Sequence, residues 1–83
     1  MKYYRDDIFI KQLGKRIIAL RKGRNVTQEE LAARTGFELK QIGRIERGEI
    51  NTSISHIHAI AKALEIELKE MFDFDAGNQA RRY

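Results

Sequence analysis

This chain predicts an all-α fold, and three observations carry the prediction. It contains no proline. Its β-branched residues never alternate with polar ones over the length of a strand. Its apolar residues recur three or four apart from Phe9 to Phe72, which is the period of one helix face. At 83 residues the chain makes one small domain, burying about 60–65% of its unfolded surface. Zero cysteines exclude a disulfide framework and any thiolate zinc site. No apolar run approaches the roughly 20 residues needed to span a bilayer. The start, MKYYRDDIF, has acids where a signal peptide needs a continuous apolar segment. The expected location is the cytoplasm, with no membrane role.

The first helix starts at Asp6 or Asp7, either of which caps a first turn. Phe9, Leu13, Ile17 and Leu20 form its buried stripe, with Ile10 beside it, and it stops near Gly23. The second helix has the clearest start in the chain. Thr27 and Glu30 form a T-x-x-E capping box, and Val26 and Leu31 form a hydrophobic staple around it. Gly36 ends this helix with a left-handed residue. The third runs from about Leu39 to Arg47, with Ile42 and Ile45 facing inward and Gly48 as its stop. Thr52 or Ser53 caps the fourth, whose stripe is Ile54, Ile57, Ile60, Ala61 and Leu64. A break at Glu65 to Glu67 leads to a fifth, short helix carrying Leu68, Met71 and Phe72. The expected organisation is a lead-in over 1–7, a five-helix bundle over 8–73 and a polar tail over 74–83 that frays unless a partner orders it.

Charge divides unevenly along the chain. Residues 1–50 hold 12 Lys/Arg against 7 Asp/Glu, and residues 51–83 hold 4 against 5. The net charge of +4 therefore comes from the half with the second and third helices, which points to a polyanionic partner for that half.

From Gln28 onward, Leu31, Ala32, Gly36, Ile42 and Ile45 fall at offsets that resemble the helix-turn-helix of the Cro/lambda-repressor-type, or Xre-type, bacterial regulators. Leu13-Gly14 to Leu20-Arg21 resembles that family's L-G-x-x-I-x-x-L-R. Ile42 to Gly48 resembles its I-x-x-I-E-x-G, and Ile54 to Ala61 its I-x-x-I-x-x-I-A. The resemblance spans roughly residues 9–72. It implies a sequence-specific transcriptional regulator of double-stranded DNA. Ala32 is small where the second and third helices cross. Ile42 and Ile45 dock on Leu31, which leaves Leu39, Lys40, Gly43, Arg44 and Arg47 on the free face.

In the family that face enters the major groove. The resemblance therefore implies Arg44 and Lys40 as base readers, Gln41 next, and Leu39 against a thymine methyl. Gln28 and Thr27 at the start of the second helix, with Arg47 and Asn51 beyond the third, are the implied phosphate contacts. Arg21 and Glu46 match a structural ion pair linking the first helix to the end of the third. This chain departs from the family pattern at Glu38, a poor cap, at Gly43 inside the recognition helix, and in lacking a proline before the fourth helix.

One such domain covers half an operator. A homodimer on a near-palindrome is therefore expected, with recognition helices about 34 Å apart. Ile66, Leu68, Met71, Phe72 and Phe74 are the candidate interface. The rival reading is a protein-binding module that holds a partner as an antitoxin holds its toxin, using Phe74 and Tyr83 of the tail. His56 and His58 lie two apart on a helix, point to nearly opposite sides and cannot share a metal. No phosphate loop, nucleophile elbow or HExxH occurs, so no enzyme, metal, cofactor or small-molecule ligand is expected.

Overall fold

Three of the helices open on a side-chain oxygen that caps them. The computed structural model describes residues 4–75, with helices α1 Asp7–Gly23, α2 Gln28–Thr35, α3 Leu39–Glu46, α4 Ile54–Ala63 and α5 Leu68–Met71. There is no strand among the described residues. Asp6 accepts the Phe9 amide at 3.0 Å and Ser53 accepts the His56 amide at 3.1 Å, each satisfying an orphan donor. The capping box of α2 is complete. The Glu30 amide donates to Thr27 Oγ1 at 3.0 Å, and the Thr27 amide donates to Glu30 Oε1 at 2.8 Å. Gly36 ends α2 at φ 80°, a left-handed backbone that suits glycine. Glu38 makes no capping hydrogen bond, so α3 starts without a side-chain cap.

Ile17, Leu31, Ile42, Ile60 and Met71 are fully buried at the centre, where α1, α2, α3, α4 and α5 all contribute. Two expected stripes need correction. On α1 the buried line is Ile10, Gly14, Ile17 and Arg21, one position round from the expected one, and Phe9, Leu13 and Leu20 are only partly buried. A hydrophobicity pattern cannot anticipate that shift, because two of the four buried positions hold a glycine and an arginine. On α4, Ile57, Ile60, Ala61 and Leu64 are buried, but Ile54 is 65% exposed. It is the first residue of the helix and lies at the rim of an apolar cleft with Phe9, Leu13 and Ile50.

The C-terminal aromatic residues pack against α1. Phe72 stacks on Phe9 with ring centroids 6.3 Å apart, and Phe74 tilts against the same ring at 5.4 Å. The Gln12 amide donates to the Asp75 carbonyl at 3.1 Å. The chain therefore stays docked on the bundle to Asp75 instead of fraying from Phe72, and Phe74 is not a free hook for a partner. Tyr83 and the rest of 76–83 lie outside the described residues. Met71 is wholly enclosed and cannot serve a dimer interface; Ile66, Leu68 and Phe72 are partly buried.

Helix α1 approaches the end of α3 closely at Gly14. A Cβ built on Gly14 would lie 2.4 Å from the Glu46 carbonyl oxygen and 2.8 Å from that of Ile45. Both are backbone atoms and cannot swing away. Gly23, at the end of the same helix, has nothing within 4 Å of such an atom. Gly14→Ala should therefore lower the free energy of urea unfolding by about 2 kcal/mol or more, from overpacking. Gly23→Ala should leave it unchanged or raise it by about 0.5–1 kcal/mol, because alanine is the better helix former.

Candidate nucleic-acid interface

The helix α3 is held by its inner face. Ile42 and Ile45 sit in the core, and Glu46 beside them is 3% exposed. A buried carboxylate is tolerable only if its lone pairs are filled. Arg21 Nε donates to Glu46 Oε2 at 2.7 Å and Nη2 to Oε1 at 3.1 Å, a fork-to-fork pair. Gln28 Nε2 adds a third donor to Oε1 at 2.8 Å. The remaining guanidinium nitrogen, Arg21 Nη1, reaches the Val26 carbonyl at 2.9 Å, just before the α2 cap. The expected Arg21 and Glu46 are thus brought together. Sequence reasoning missed that Gln28 belongs to the same group: an amide one residue after a cap carries no signal of a carboxylate 18 residues away.

The outer face presents the other candidates. Leu39 is 43% exposed, and Lys40 and Arg44 are exposed one turn apart on the side opposite Ile42 and Ile45. Among the described residues neither side chain has a hydrogen-bond or ion-pair partner. Gln41 lies at the flank, half-buried. Thr27 accepts the Glu30 amide through its hydroxyl oxygen, and Asn51 is exposed in the α3–α4 loop.

Arg47 is different. Its guanidinium donates to Glu49 through Nε at 2.6 Å and Nη2 at 3.4 Å, and it covers Gly43. Gly43 is therefore buried beneath Arg47 and does not lie open for a close approach to DNA, which corrects the expected place of Gly43 on the free face. The hydrogen bonds from Arg47 hold the Glu49 carboxyl below the usual carboxylate range, with charge attraction from Arg47, Arg44 and Lys11 added.

A short capped helix, a glycine turn and a second helix with its inner face locked and a cationic strip outside make a helix-turn-helix module. Known proteins show the same. Residues 17–71 match the helix-turn-helix family model HTH_3. An uncharacterized HTH-type transcriptional regulator of Sinorhizobium fredii is 33% identical over 61 residues, covering 74% of this chain and 79% of that protein. The control protein C.BamHI of Bacillus amyloliquefaciens is 40% identical over 50 residues, 60% of this chain and 62% of that one. The crystal structure of the restriction-modification controller protein C.AhdI from Aeromonas hydrophila superposes with a TM-score of 0.74 at 36% identity, covering 76% of this chain and 96% of its own. This chain belongs to the helix-turn-helix family HTH_3, a DNA-binding and non-enzymatic class of transcriptional regulators. No helix among the described residues is long and apolar enough to cross a membrane.

Two stability tests follow from these contacts. Glu46→Gln leaves a buried guanidinium without its counter-charge and should lower the unfolding free energy by about 3–5 kcal/mol in urea titrations. The amide and hydroxyl hydrogen bonds of the α2 cap pull the Glu30 carboxyl below its ordinary value of 4.5. A carboxylate lowered in the folded state stabilises fully above its unfolded value and loses that contribution as pH falls through the folded one. Unfolding free energy should therefore fall as pH drops below about 4.5, and Glu30→Ala should flatten part of that slope.

Proposed function

We propose that the protein acts as a dimeric regulator on a near-palindromic operator, working in the cytoplasm on the nucleoid, with α3 in the major groove of each half-site. The observation that carries this reading is the outer strip of α3: Lys40 and Arg44 are exposed and, among the described residues, make no hydrogen bond or ion pair, while the opposite face is fixed by Ile42, Ile45 and Glu46. A rigid helix with free cations one turn apart suits bidentate reading of guanine edges, worth about 1–3 kcal/mol per contact. Gln41 and Leu39 are the second readers. Thr27, Gln28, Arg47 and Asn51 surround the strip at the start of α2 and the end of α3, where phosphates would pass. Gln28 would meet a phosphate through its backbone amide and the helix N-terminus, with its side chain held on Glu46. The partly buried edge of Ile66, Leu68, Phe72 and Phe74 is the proposed dimer surface.

The test is selection from random DNA followed by salt-titrated binding. A palindrome with half-sites about one helical turn apart is the expected product. Arg44→Ala should relax preference at one base position by about 1–3 kcal/mol and leave the others intact. Arg47→Ala should weaken binding to selected and unselected sequences and make the salt dependence shallower by about one charge. Recovery of no preferred sequence, or an unchanged preference in Arg44→Ala, would remove α3 from the groove.

A further inference from the structure

An acid stands at the end of this cationic strip, and the backbone is built to hold it there. After α3 the Gly48 amide donates to the Ile45 carbonyl at 3.1 Å and the Glu49 amide to the Arg44 carbonyl at 2.9 Å, with Gly48 at φ 71°. That pair of bonds is a Schellman turn, which fixes Glu49 as the residue two beyond the cap. Arg5 Nη2 tethers the Glu49 carbonyl at 3.1 Å from the other side. The Glu49 carboxylate then turns back along α3 and grips Arg47 in a fork, and Arg44 and Lys11 attract the same group. Glycine at 43 makes room for the result: a Cβ there would stand 2.9 Å from Arg47 Nη1.

Stability does not account for this arrangement. The two side chains are 57% and 48% exposed, and ion pairs in water contribute little. General affinity does not account for it either, since a carboxylate beside the phosphate path repels the polyanion. What the arrangement does supply is a fixed position for a long, otherwise mobile cation, together with a repulsive charge next to it. Specificity is a difference of affinities, and a repulsive element raises it by penalising the wrong registers.

We propose that Glu49 is a positioning and specificity-determining residue for DNA binding. It lays Arg47 over Gly43 so that this guanidinium meets a phosphate in one register, and its own charge weakens binding in every other. The inference rests on the reading of Arg47 as a phosphate contact.

The test compares the full-length parent with Glu49→Gln, Gly43→Ala, Arg47→Ala and the double variant Glu49→Gln/Arg47→Ala, each checked for folding by circular dichroism. The probes are a duplex recovered by selection from random DNA and a duplex of the same length with shuffled sequence, titrated with salt. Glu49→Gln should tighten the shuffled duplex by about fivefold, the scale of one screened surface charge. It should tighten the selected duplex less and steepen the salt dependence by about one charge. Gly43→Ala should lower the ratio of selected to shuffled binding without changing the salt dependence, because it moves Arg47 and alters no charge. In the Arg47→Ala background, Glu49→Gln should change the ratio less than it does in the parent, because only the repulsion by its own charge is left to remove. An unchanged ratio and salt dependence in Glu49→Gln, or an undiminished ratio effect in the double variant, overturns the role of Glu49. If Arg47→Ala alone binds both duplexes as the parent does, the phosphate reading of Arg47 itself falls.

Discussion

Four segments of the chain meet at the carboxylate of Glu46. Arg21 brings the end of α1, its bond to Val26 brings the connection that follows, Gln28 brings the first turn of α2, and Glu46 itself is the last residue of α3. Two well-packed apolar side chains would hold those segments together as firmly, since the desolvation of a buried ion pair offsets most of its attraction. What the ions add is direction. A fork-to-fork pair has one good geometry, and every departure from it exposes a charge to the core. Helix α3 is therefore fixed in rotation and translation relative to α1 and α2, which apolar contacts alone specify loosely. A side chain that reads a base edge in a groove needs that fixed frame.

The same end of α3 is pressed against α1 at two glycines. Gly14 lets the Ile45 and Glu46 carbonyls lie almost on the α1 backbone, and Gly48 brings the following turn against Lys11. Close approach shortens the reach that Arg21 needs to meet Glu46, so the glycine contact and the ion pair support one another. The negative end of the α3 dipole also comes to rest among Lys11, Arg44 and Arg47, a favourable charge arrangement for a helix C-terminus.

Much of this was legible in the residues, and the division follows the range of the interactions. Caps are local and act within four residues: the Thr27 and Glu30 box and the left-handed Gly36 could be read directly, and the caps at Asp6 and Ser53 to within one residue. The inward residues of α2 and α3 were equally plain, because Leu31, Ile42 and Ile45 have no other use. Where the reading failed, a residue had two possible partners at long range. Ile54 has the right spacing for the core but sits at the mouth of the cleft. Met71 looked like surface material for a dimer and is instead the plug under α5. Phe74 lies in a polar stretch, and nothing nearby reveals that Phe9 waits 65 residues earlier. Arg47 and Glu49 are neighbours across a glycine, yet their pairing depends on the Schellman turn and on the gap at Gly43.

The residues proposed to meet DNA thus divide into those with one duty and those with two. Among the described residues Lys40 and Arg44 make no hydrogen bond or ion pair, and Leu39 is exposed beside them, so exchanging them costs little stability. Gln28 is bound to the buried Glu46 and cannot be replaced so freely, because the change also disturbs an acid that the core must keep satisfied, whereas Arg47 is held by Glu49 in the open. On the proposed reading, phosphate contacts set where the protein sits, and base contacts set what it reads. On that reading, a new operator can be acquired through the strip at Leu39, Lys40 and Arg44 while the docking geometry, tied into the fold's own hydrogen bonds at Gln28, stays the same.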